Sequence, residues 1–236
     1  MRLLLISNST NPGEAYLDYP KQNIKDFLGE KSINCLFIPY AAVTFSFDEY
    51  EDKVNTRVAE IGHKVTSIHH YDNPVEAVEK AEAIVVGGGN TWQLVKMLQD
   101  NNLMAPIAKK VVGGTPYVGW SAGSNIACPT LKTTNDMPIV EPVKFDTLNL
   151  VPFQINPHYL DDNNDTHGGE TRETRIVEFI HANKEVYVVG LREGCMLLLE
   201  NNDIEMIGSR SARIFHYGKE TVELSATDDF KFLIEK

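Results

Sequence analysis

A chain of 236 residues suits one α/β domain, and 42% hydrophobic with 23% charged residues is ordinary for a globular protein. The formal net charge of −11 argues against nucleic acid as a partner, since phosphate binding needs clustered Lys and Arg. No apolar run reaches the roughly 18 residues of a membrane helix, so we expect no membrane partner. Three cysteines without Cys-x-x-Cys spacing, Cys35, Cys128 and Cys195, are typical of buried reduced thiols in a cytoplasmic protein.

Up to residue 130, short apolar runs alternate with helix-like segments. The runs predict strands over 2–7, 34–39, 64–69, 83–86 and 116–119, and the segments between them predict helices over 21–29, 48–61, 73–81 and 91–99. This alternation predicts an α/β fold in which a mostly parallel sheet carries helices on both faces.

Beyond residue 130 the pattern changes, because five prolines between 129 and 157 interrupt any long helix. A strand over 151–155 and a helix over 171–181 are predicted, followed by short strands over 186–191, 195–200, 204–207, 212–216 and 220–224. These strands predict a short antiparallel C-terminal extension of the main sheet. No segment resembles an interdomain linker, so we expect residues 1–236 to form a single domain.

A glycine run, Gly87-Gly88-Gly89-Asn90-Thr91, follows the predicted strand 83–86. It exposes backbone N–H groups at the carboxyl end of a strand, where open α/β sheets gather their sites. Its spacing is not the Gly-x-Gly-x-x-Gly of dinucleotide binding. We favour half of an oxyanion hole with Gly88 as the donor and Asn90 as a substrate-binding candidate, while a plain tight turn remains the alternative.

The segment Gly119-Trp120-Ser121-Ala122-Gly123 joins a predicted strand to a predicted helix. This context is typical of a nucleophile elbow, in which a serine occupies a strained turn and needs small residues two positions before and after it. The turn also leaves the N–H of Ala122 available to a developing oxyanion. We therefore predict a serine hydrolase with Ser121 as its nucleophile.

A serine nucleophile needs a base, and a carboxylate to orient that base. Of the seven histidines, His158 is favoured by elimination, because the rigid Asn156-Pro157 pair follows a predicted strand immediately before it. Two carboxylates compete for the third position. Glu193 follows the predicted strand 186–191, whereas Asp136 is closer in sequence to Ser121 and is an alternative that holds the site or the substrate.

The glycine run, the serine motif, Thr134-Asn135-Asp136-Met137-Pro138 and Ile155-Asn156-Pro157-His158 occur in this order and at these intervals in the dipeptidase E (α-aspartyl dipeptidase) family, which the chain resembles over nearly its whole length. The resemblance extends to 8–10 and 169–173. It departs at Arg192, where the family often has proline, which leaves the rigidity of that turn open.

The resemblance implies a flavodoxin-like fold related to class I glutamine amidotransferases, with serine in place of their cysteine. It also implies hydrolysis of Asp-X dipeptides without metal or cofactor, with Ser121 as nucleophile, His158 as base, and Glu193 or Asp136 as the acid. The order Ser121, His158, Glu193 is not that of the α/β-hydrolases, in which histidine comes last.

The substrate implied by the resemblance carries a carboxylate, which a protein of net charge −11 must meet with a local cation. Arg172 is the candidate, because the planar guanidinium binds carboxylates bidentately and Arg172 shares a helix face with Ile176, whereas Arg175 points farther toward solvent.

Two alternative functions remain: a cyanophycinase-like exopeptidase acting on β-aspartyl linkages, and a non-catalytic ligand-binding protein. We expect a monomer or homodimer. No histidine or cysteine spacing typical of a metal site occurs.

Overall fold

The computed structural model describes residues 1–161 and 169–235, which contain two β-sheets. The main sheet has the spatial order β3-β2-β4-β5-β1-β8-β9. Its strands are β1 (Leu3–Ile6), β2 (Asn34–Ile38), β3 (Lys64–Ser67), β4 (Ile84–Val86), β5 (Tyr117–Trp120), β8 (Met196–Glu200) and β9 (Asp203–Ile207). The first five are parallel, and β8 and β9 add an antiparallel edge.

The helices of the described residues are α1 (Lys21–Leu28), α2 (Phe47–Val58), α3 (Pro74–Lys80), α4 (Thr91–Asp100), α5 (Met104–Val112), α6 (Ala122–Asn125) and α7 (Arg172–Ala182). The sequence did not predict α5. Pro106 resembles a helix breaker there, but it lies in the first turn of α5, where a missing N–H removes no intrahelical hydrogen bond. None of these helices is long and apolar enough to span a bilayer.

Both faces of the main sheet are covered, and β1 shows why. Its four residues are fully or almost fully buried, and they alternate between two apolar clusters: Leu3 and Leu5 belong to one, Leu4 and Ile6 to the other. Successive side chains of a strand point to opposite faces, so an unbroken apolar run indicates a strand buried on both sides. The predicted α/β fold with a mostly parallel sheet is confirmed.

The second sheet corrects the predicted C-terminal extension. Only β8 and β9 extend the main sheet; β6 (Gln154–Tyr159), β7 (Val188–Arg192), β10 (Ala212–Phe215) and β11 (Val222–Leu224) form a separate sheet in the order β11-β10-β7-β6. Its β6 and β7 are parallel, and the other pairs are antiparallel. The predicted strand 151–155 is also shifted, so that Pro157 and His158 lie inside β6 and not in a turn after it.

Candidate active site

Ser121 occupies the sharp turn between β5 and α6, with the backbone angles φ 53° and ψ −112°. A positive φ is strained for a residue with a side chain, and such strain persists only where the surroundings enforce it. The Ser121 carbonyl accepts hydrogen bonds from the N–H groups of Ser124 (3.0 Å) and Asn125 (2.9 Å), which fixes the turn at the start of α6. The turn has the strand–serine–helix form that the sequence motif predicts.

Close contacts with backbone atoms require glycine at positions 119 and 123 of the motif. A Cβ atom on Gly119 would lie 2.5 Å from the carbonyl oxygen of Gly123, and one on Gly123 would lie 2.2 Å from the carbonyl oxygen of Val86. Both distances are far below van der Waals contact with backbone that has little room to move. The sequence argument for small residues at these positions therefore has a specific steric cause.

His158 lies between Ser121 and Glu193. Its Nε2 is 3.0 Å from the Ser121 Oγ, and its Nδ1 is 2.7 Å from the Glu193 Oε1. A carboxylate only accepts hydrogen bonds, so Nδ1 carries the proton and the Nε2 lone pair faces the serine hydroxyl. The side chains of His158 and Glu193 are half-buried, which leaves this contact chain open to a bound molecule.

The backbone of His158 is held by Ser7, which the sequence analysis did not identify. The Ser7 Oγ accepts a hydrogen bond from the His158 N–H (2.9 Å) and donates one to the Leu191 carbonyl (2.7 Å), so one buried hydroxyl links β1, β6 and β7. His158 has a φ of 53°, and the pairing of β6 with β7 shifts register between Pro157 and Tyr159. His158 thus lies on a bulge inside a strand.

Glu193 follows β7 in a turn that is held from both sides. The Gly194 N–H donates to Asn8 Oδ1 (2.9 Å), and Gly194 has a positive φ of 82° that suits glycine. On the other side, Arg192 is buried and forms paired hydrogen bonds of 2.6–2.9 Å with the carboxylates of Asp161 and Glu223. Arg192 therefore fastens the turn by ion pairing where the resembled family often has proline.

Asp136 lies on the same cavity but is not in contact with His158. Its Oδ2 accepts hydrogen bonds from the Thr91 N–H (2.7 Å), the Thr91 hydroxyl (2.6 Å) and the Thr134 hydroxyl (3.0 Å). These contacts place a carboxylate at the first turn of α4, where the helix dipole favours it. The structure thus brings Glu193 to the histidine and uses Asp136 to attach the 134–137 loop to α4.

Both polar side-chain atoms of Asn90, the substrate-binding candidate from the sequence, make hydrogen bonds within the protein. Its Oδ1 accepts from the Gln93 N–H (3.0 Å) as the N-cap of α4, and its Nδ2 donates to the Met137 carbonyl (3.0 Å). Among the described residues that line the cavity, Asn90 is not included. Helix α4 begins immediately after Asn90, at Thr91, and uses the Asn90 side chain as its cap.

Gly88 lies directly against the serine, since a Cβ atom on it would be 3.0 Å from the Ser121 Cβ. The N–H groups of Gly88 and Ala122 donate no hydrogen bond to any described residue. The buried Tyr50, which the sequence analysis also missed, donates its hydroxyl to the Gly88 carbonyl (2.9 Å) and accepts from the Trp120 Nε1 (3.2 Å). Tyr50 therefore holds the glycine loop and the residue before the serine in fixed relation.

Gly88, Ser121, Asp136, His158 and Glu193 line a cavity of about 660 Å³, and Arg172 at the start of α7 lines it as well. The Nη1 of Arg172 is buried and has no hydrogen-bond partner among the described residues. Burial lowers the pKa of the Arg172 guanidinium, and the charge of Glu193 opposes this shift. By contrast Arg175 is exposed and lies 3.8 Å from Glu170, as the helix-face argument predicts. A guanidinium on a cavity, with a nitrogen that no described residue bonds, can bind an anionic group.

The arrangement can perform acyl transfer, because a serine hydroxyl, a histidine in contact with it and a carboxylate in contact with that histidine line one cavity together with Gly88. Within 1–161 and 169–235, the group of side chains spaced to hold a metal ion is Asp48, His69 and His70, and none of these lines the cavity.

Comparison with known proteins gives one consistent result. The profile described as "Peptidase family S51" matches residues 3–207. Over 235 residues the chain is 50% identical to Peptidase E of Nostoc sp. strain PCC 7120, covering 100% of this chain and 97% of the relative. It is 46% identical to Peptidase E of Salmonella typhimurium strain LT2 over 230 residues, covering 98% and 100%. The crystal structure of a peptidase from an acI-B1 Actinobacterium has the same fold, with a TM-score of 0.70, 18% identity and coverage of 97% and 96%.

Proposed function

This chain belongs to peptidase family S51, and from that premise we propose that it is a serine dipeptidase that hydrolyses dipeptides with an N-terminal aspartyl residue. The observation that carries the proposal is the contact chain from Ser121 through His158 to Glu193, with distances of 3.0 and 2.7 Å. These are hydrogen-bond distances that a proton transfer requires.

In the proposed reaction the Ser121 Oγ attacks the peptide carbonyl carbon while its proton passes to His158 Nε2. Glu193 stabilises the resulting imidazolium, and the N–H groups of Gly88 and Ala122 receive the oxyanion. The C–N bond then breaks as His158 returns the proton to the leaving amine, which leaves an acyl-enzyme on Ser121. Water, activated by the same histidine, releases the aspartate and restores the serine.

We assign recognition of the aspartyl side chain to Arg172. Its buried Nη1 needs an acceptor, and a substrate carboxylate supplies one with the planar geometry that a guanidinium binds best. The resemblance to the dipeptidase E family supports the aspartyl substrate, and the position of Arg172 on the cavity supports its role in binding the aspartyl side chain.

The experiment is a panel of Asp-Leu, β-Asp-Leu, Glu-Leu and Asn-Leu, measured with the natural chain and with Ser121→Ala. We expect Asp-Leu to be the best substrate and Ser121→Ala to lose activity on the order of 10⁶-fold while keeping its melting temperature. Preference for β-Asp-Leu would favour a β-aspartyl exopeptidase, and no turnover of any peptide would favour a ligand-binding protein.

Arg172→Ala and the matched control Arg175→Ala test the specificity residue on the same peptides. Loss of Arg172 should reduce kcat/KM for Asp-Leu about a hundredfold or more and narrow the gap between Asp-Leu and Asn-Leu, because a hydrogen-bonded ion pair is removed. Loss of Arg175 should change little. Equal, mild losses in both variants would refute the assignment to Arg172.

We also propose that residues 1–236 act as a single peptidase domain, as a monomer or homodimer in the cytoplasm. The single domain is supported by the cavity, which takes its nucleophile from one sheet and its base from the other. All three cysteines are free and buried, which suits a reducing compartment. Size-exclusion chromatography with light scattering tests the oligomeric state.

A further inference from the structure

Away from the cavity, two histidines and a carboxylate converge on one surface point. We propose that Asp48, His69 and His70, here called the histidine cluster, bind a divalent transition-metal ion of the zinc type that takes no part in peptide hydrolysis. Asp48 lies in the first turn of α2, and the histidines end the short 3-10 helix Ile68–His70 that continues β3. Each offers one ligand atom, and the three atoms lie within 4.8 Å of one another.

The distances within the cluster suit a shared ion. The Asp48 Oδ1 is 3.0 Å from the His69 Nε2 and 3.6 Å from the His70 Nε2. Ligand atoms of a tetrahedral zinc ion with bonds of about 2.0 Å are separated by roughly 3.3 Å, so the observed distances lie on either side of that value. Only small side-chain rotations would therefore be needed around an ion.

The hydrogen bonds of His69 can reorganise around an ion. Its Nε2 faces the Asp48 carboxylate, which only accepts hydrogen bonds, so Nε2 carries the proton in the ion-free cluster and releases it when a metal binds. Its Nδ1 lies 2.6 Å from the Ser67 Oγ, which then accepts a hydrogen bond from the Nδ1 N–H. The His69 and His70 rings are tilted by 39° to each other with centroids 3.9 Å apart, and the Nε2 atoms of both face the same carboxylate. A ligand histidine whose second nitrogen is hydrogen-bonded is the usual arrangement in metal sites.

Glu51 adds a further oxygen donor beside the cluster. Its Oε2 is 2.5 Å from the His70 Nε2, and its Oε1 accepts from the Ser67 N–H (3.0 Å). Glu51 and Asp48 are three residues apart on α2 and therefore share one helix face. Glu51 is not in the group of ligand atoms that lie within 4.8 Å of one another, so we assign it a hydrogen bond from a metal-bound water in place of direct coordination.

The donor set selects the kind of ion. Imidazole nitrogen with carboxylate oxygen suits zinc, copper and nickel, whereas magnesium and calcium prefer oxygen ligands alone. Asp48 and His70 are exposed, which gives an ion direct access, and the chain's charge of −11 favours cations near its surface.

Isothermal titration of the untagged chain with ZnCl₂, and Co²⁺ absorption in the visible range, test the site. We expect one saturable Zn²⁺ per chain and tetrahedral Co²⁺ bands. His69→Asn and His70→Asn should each weaken Zn²⁺ binding at least about tenfold, and Ser67→Ala about tenfold through the lost orientation of His69. The matched control is His181→Asn, which removes an exposed histidine on α7.

Zn²⁺ at a hundredfold excess over its dissociation constant should raise the melting temperature of the natural chain by roughly 5–10 °C, because the ion binds the folded state across α2 and the end of β3. The His70→Asn variant should lack this rise and keep its kcat/KM. Absence of Zn²⁺ binding, or binding that His69→Asn and His70→Asn leave unchanged, would overturn the site. The binding measurements also apply to Ser121→Ala, so their result is independent of the proposed hydrolysis.

Discussion

The two sides of the cavity use the same strand geometry but are fixed by different forces. On the main-sheet side, β4 and β5 are parallel neighbours, and Val86 pairs with Gly119 just before the Gly88 and Ser121 turns. On the second-sheet side, β6 and β7 are parallel neighbours, and Pro157 pairs with Leu191 just before His158 and Glu193. In each sheet, a pair of adjacent parallel strands thus brings two residues of the cavity together: Gly88 and Ser121 in the main sheet, His158 and Glu193 in the second sheet.

The two sides differ in the interactions that hold these residues in place. Gly119 and Gly123 are in backbone contact, so the serine turn is fixed by exclusion of side chains. The histidine and glutamate are held by polar groups, namely Ser7, Asn8 and the Arg192 ion pairs. We therefore expect substitutions on the serine side to act through steric clash, and substitutions on the histidine side to act through the loss of hydrogen bonds.

The largest effect should come from Gly123→Ala on the serine side. Its Cβ would lie 2.2 Å from the Val86 carbonyl oxygen, so β4 or the serine turn must move. We expect the free energy of unfolding to fall by about 3 kcal/mol and hydrolysis to be lost. Chemical denaturation and Asp-Leu turnover measure both. Gly113→Ala, where the nearest atoms are 3.3 Å away, is the control and should be mild. A stable, active Gly123→Ala variant would contradict the steric account.

The next largest effect distinguishes the roles of the two carboxylates of the cavity, Glu193 and Asp136. Glu193→Gln should lower kcat by roughly 10³- to 10⁴-fold with a small change in stability, because the amide no longer stabilises the imidazolium and favours the wrong tautomer. Asp136→Asn should instead lower the melting temperature through weaker contacts with α4 and reduce kcat less. If Asp136→Asn were the more damaging for kcat, the relay acid would have to be reassigned.

These two sides also differ in how far the sequence could predict them. The glycine run and the serine motif follow predicted strands directly, so local sequence sufficed to place Gly88 and Ser121. Ser7 could not be found in this way, because its partner His158 is 151 residues away along the chain and depends on how β1 lies beside the second sheet. Its signal was only its position at the end of the first strand.

The second sheet was missed for a related reason. Short apolar strands indicate burial but not their partners, and the parallel pairing of β6 with β7 depends on which strands meet in space. The rigid Asn156-Pro157 pair predicts a turn, yet Pro157 pairs with Leu191 inside β6, and the register shift falls at His158, between Pro157 and Tyr159. The predicted backbone setting of His158 was therefore wrong.

A smaller effect is expected from replacing one buried serine on each side of the cavity. Ser7→Ala removes hydrogen bonds to His158 and Leu191, and Ser124→Ala removes hydrogen bonds to the carbonyls of Ile6 (2.7 Å) and Gly119 (2.8 Å). Each should cost about 1–3 kcal/mol of stability, because buried polar groups lose their partners. We expect Ser7→Ala to lower kcat about tenfold with KM nearly unchanged, and Ser124→Ala to lower it less. Equal losses of kcat would remove the contrast between the two sides.

The smallest effect concerns the ion pairs behind the Glu193 turn. Hydrogen bonding to Arg192 lowers the pKa of Glu223 below its ordinary 4.5. A carboxylate with a lowered folded-state pKa stabilises the protein fully above its unfolded pKa, and this contribution is lost as the pH falls through the folded one. Glu223→Gln should therefore reduce the free energy of unfolding at pH 7 by about 1 kcal/mol or less, since Glu223 is 43% exposed and screened by solvent. The difference in stability between the two chains should shrink as the pH falls below 4.5 and vanish once the pH is below the lowered pKa of Glu223. Asp161 still pairs with Arg192, so kcat/KM at pH 7 should stay within about a factor of two.

The free energy of unfolding is measured by urea titration across this pH range, and Glu205→Gln, an exposed substitution on β9, serves as the control. A difference that persisted at low pH would show that Glu223 acts through packing and not through its charge.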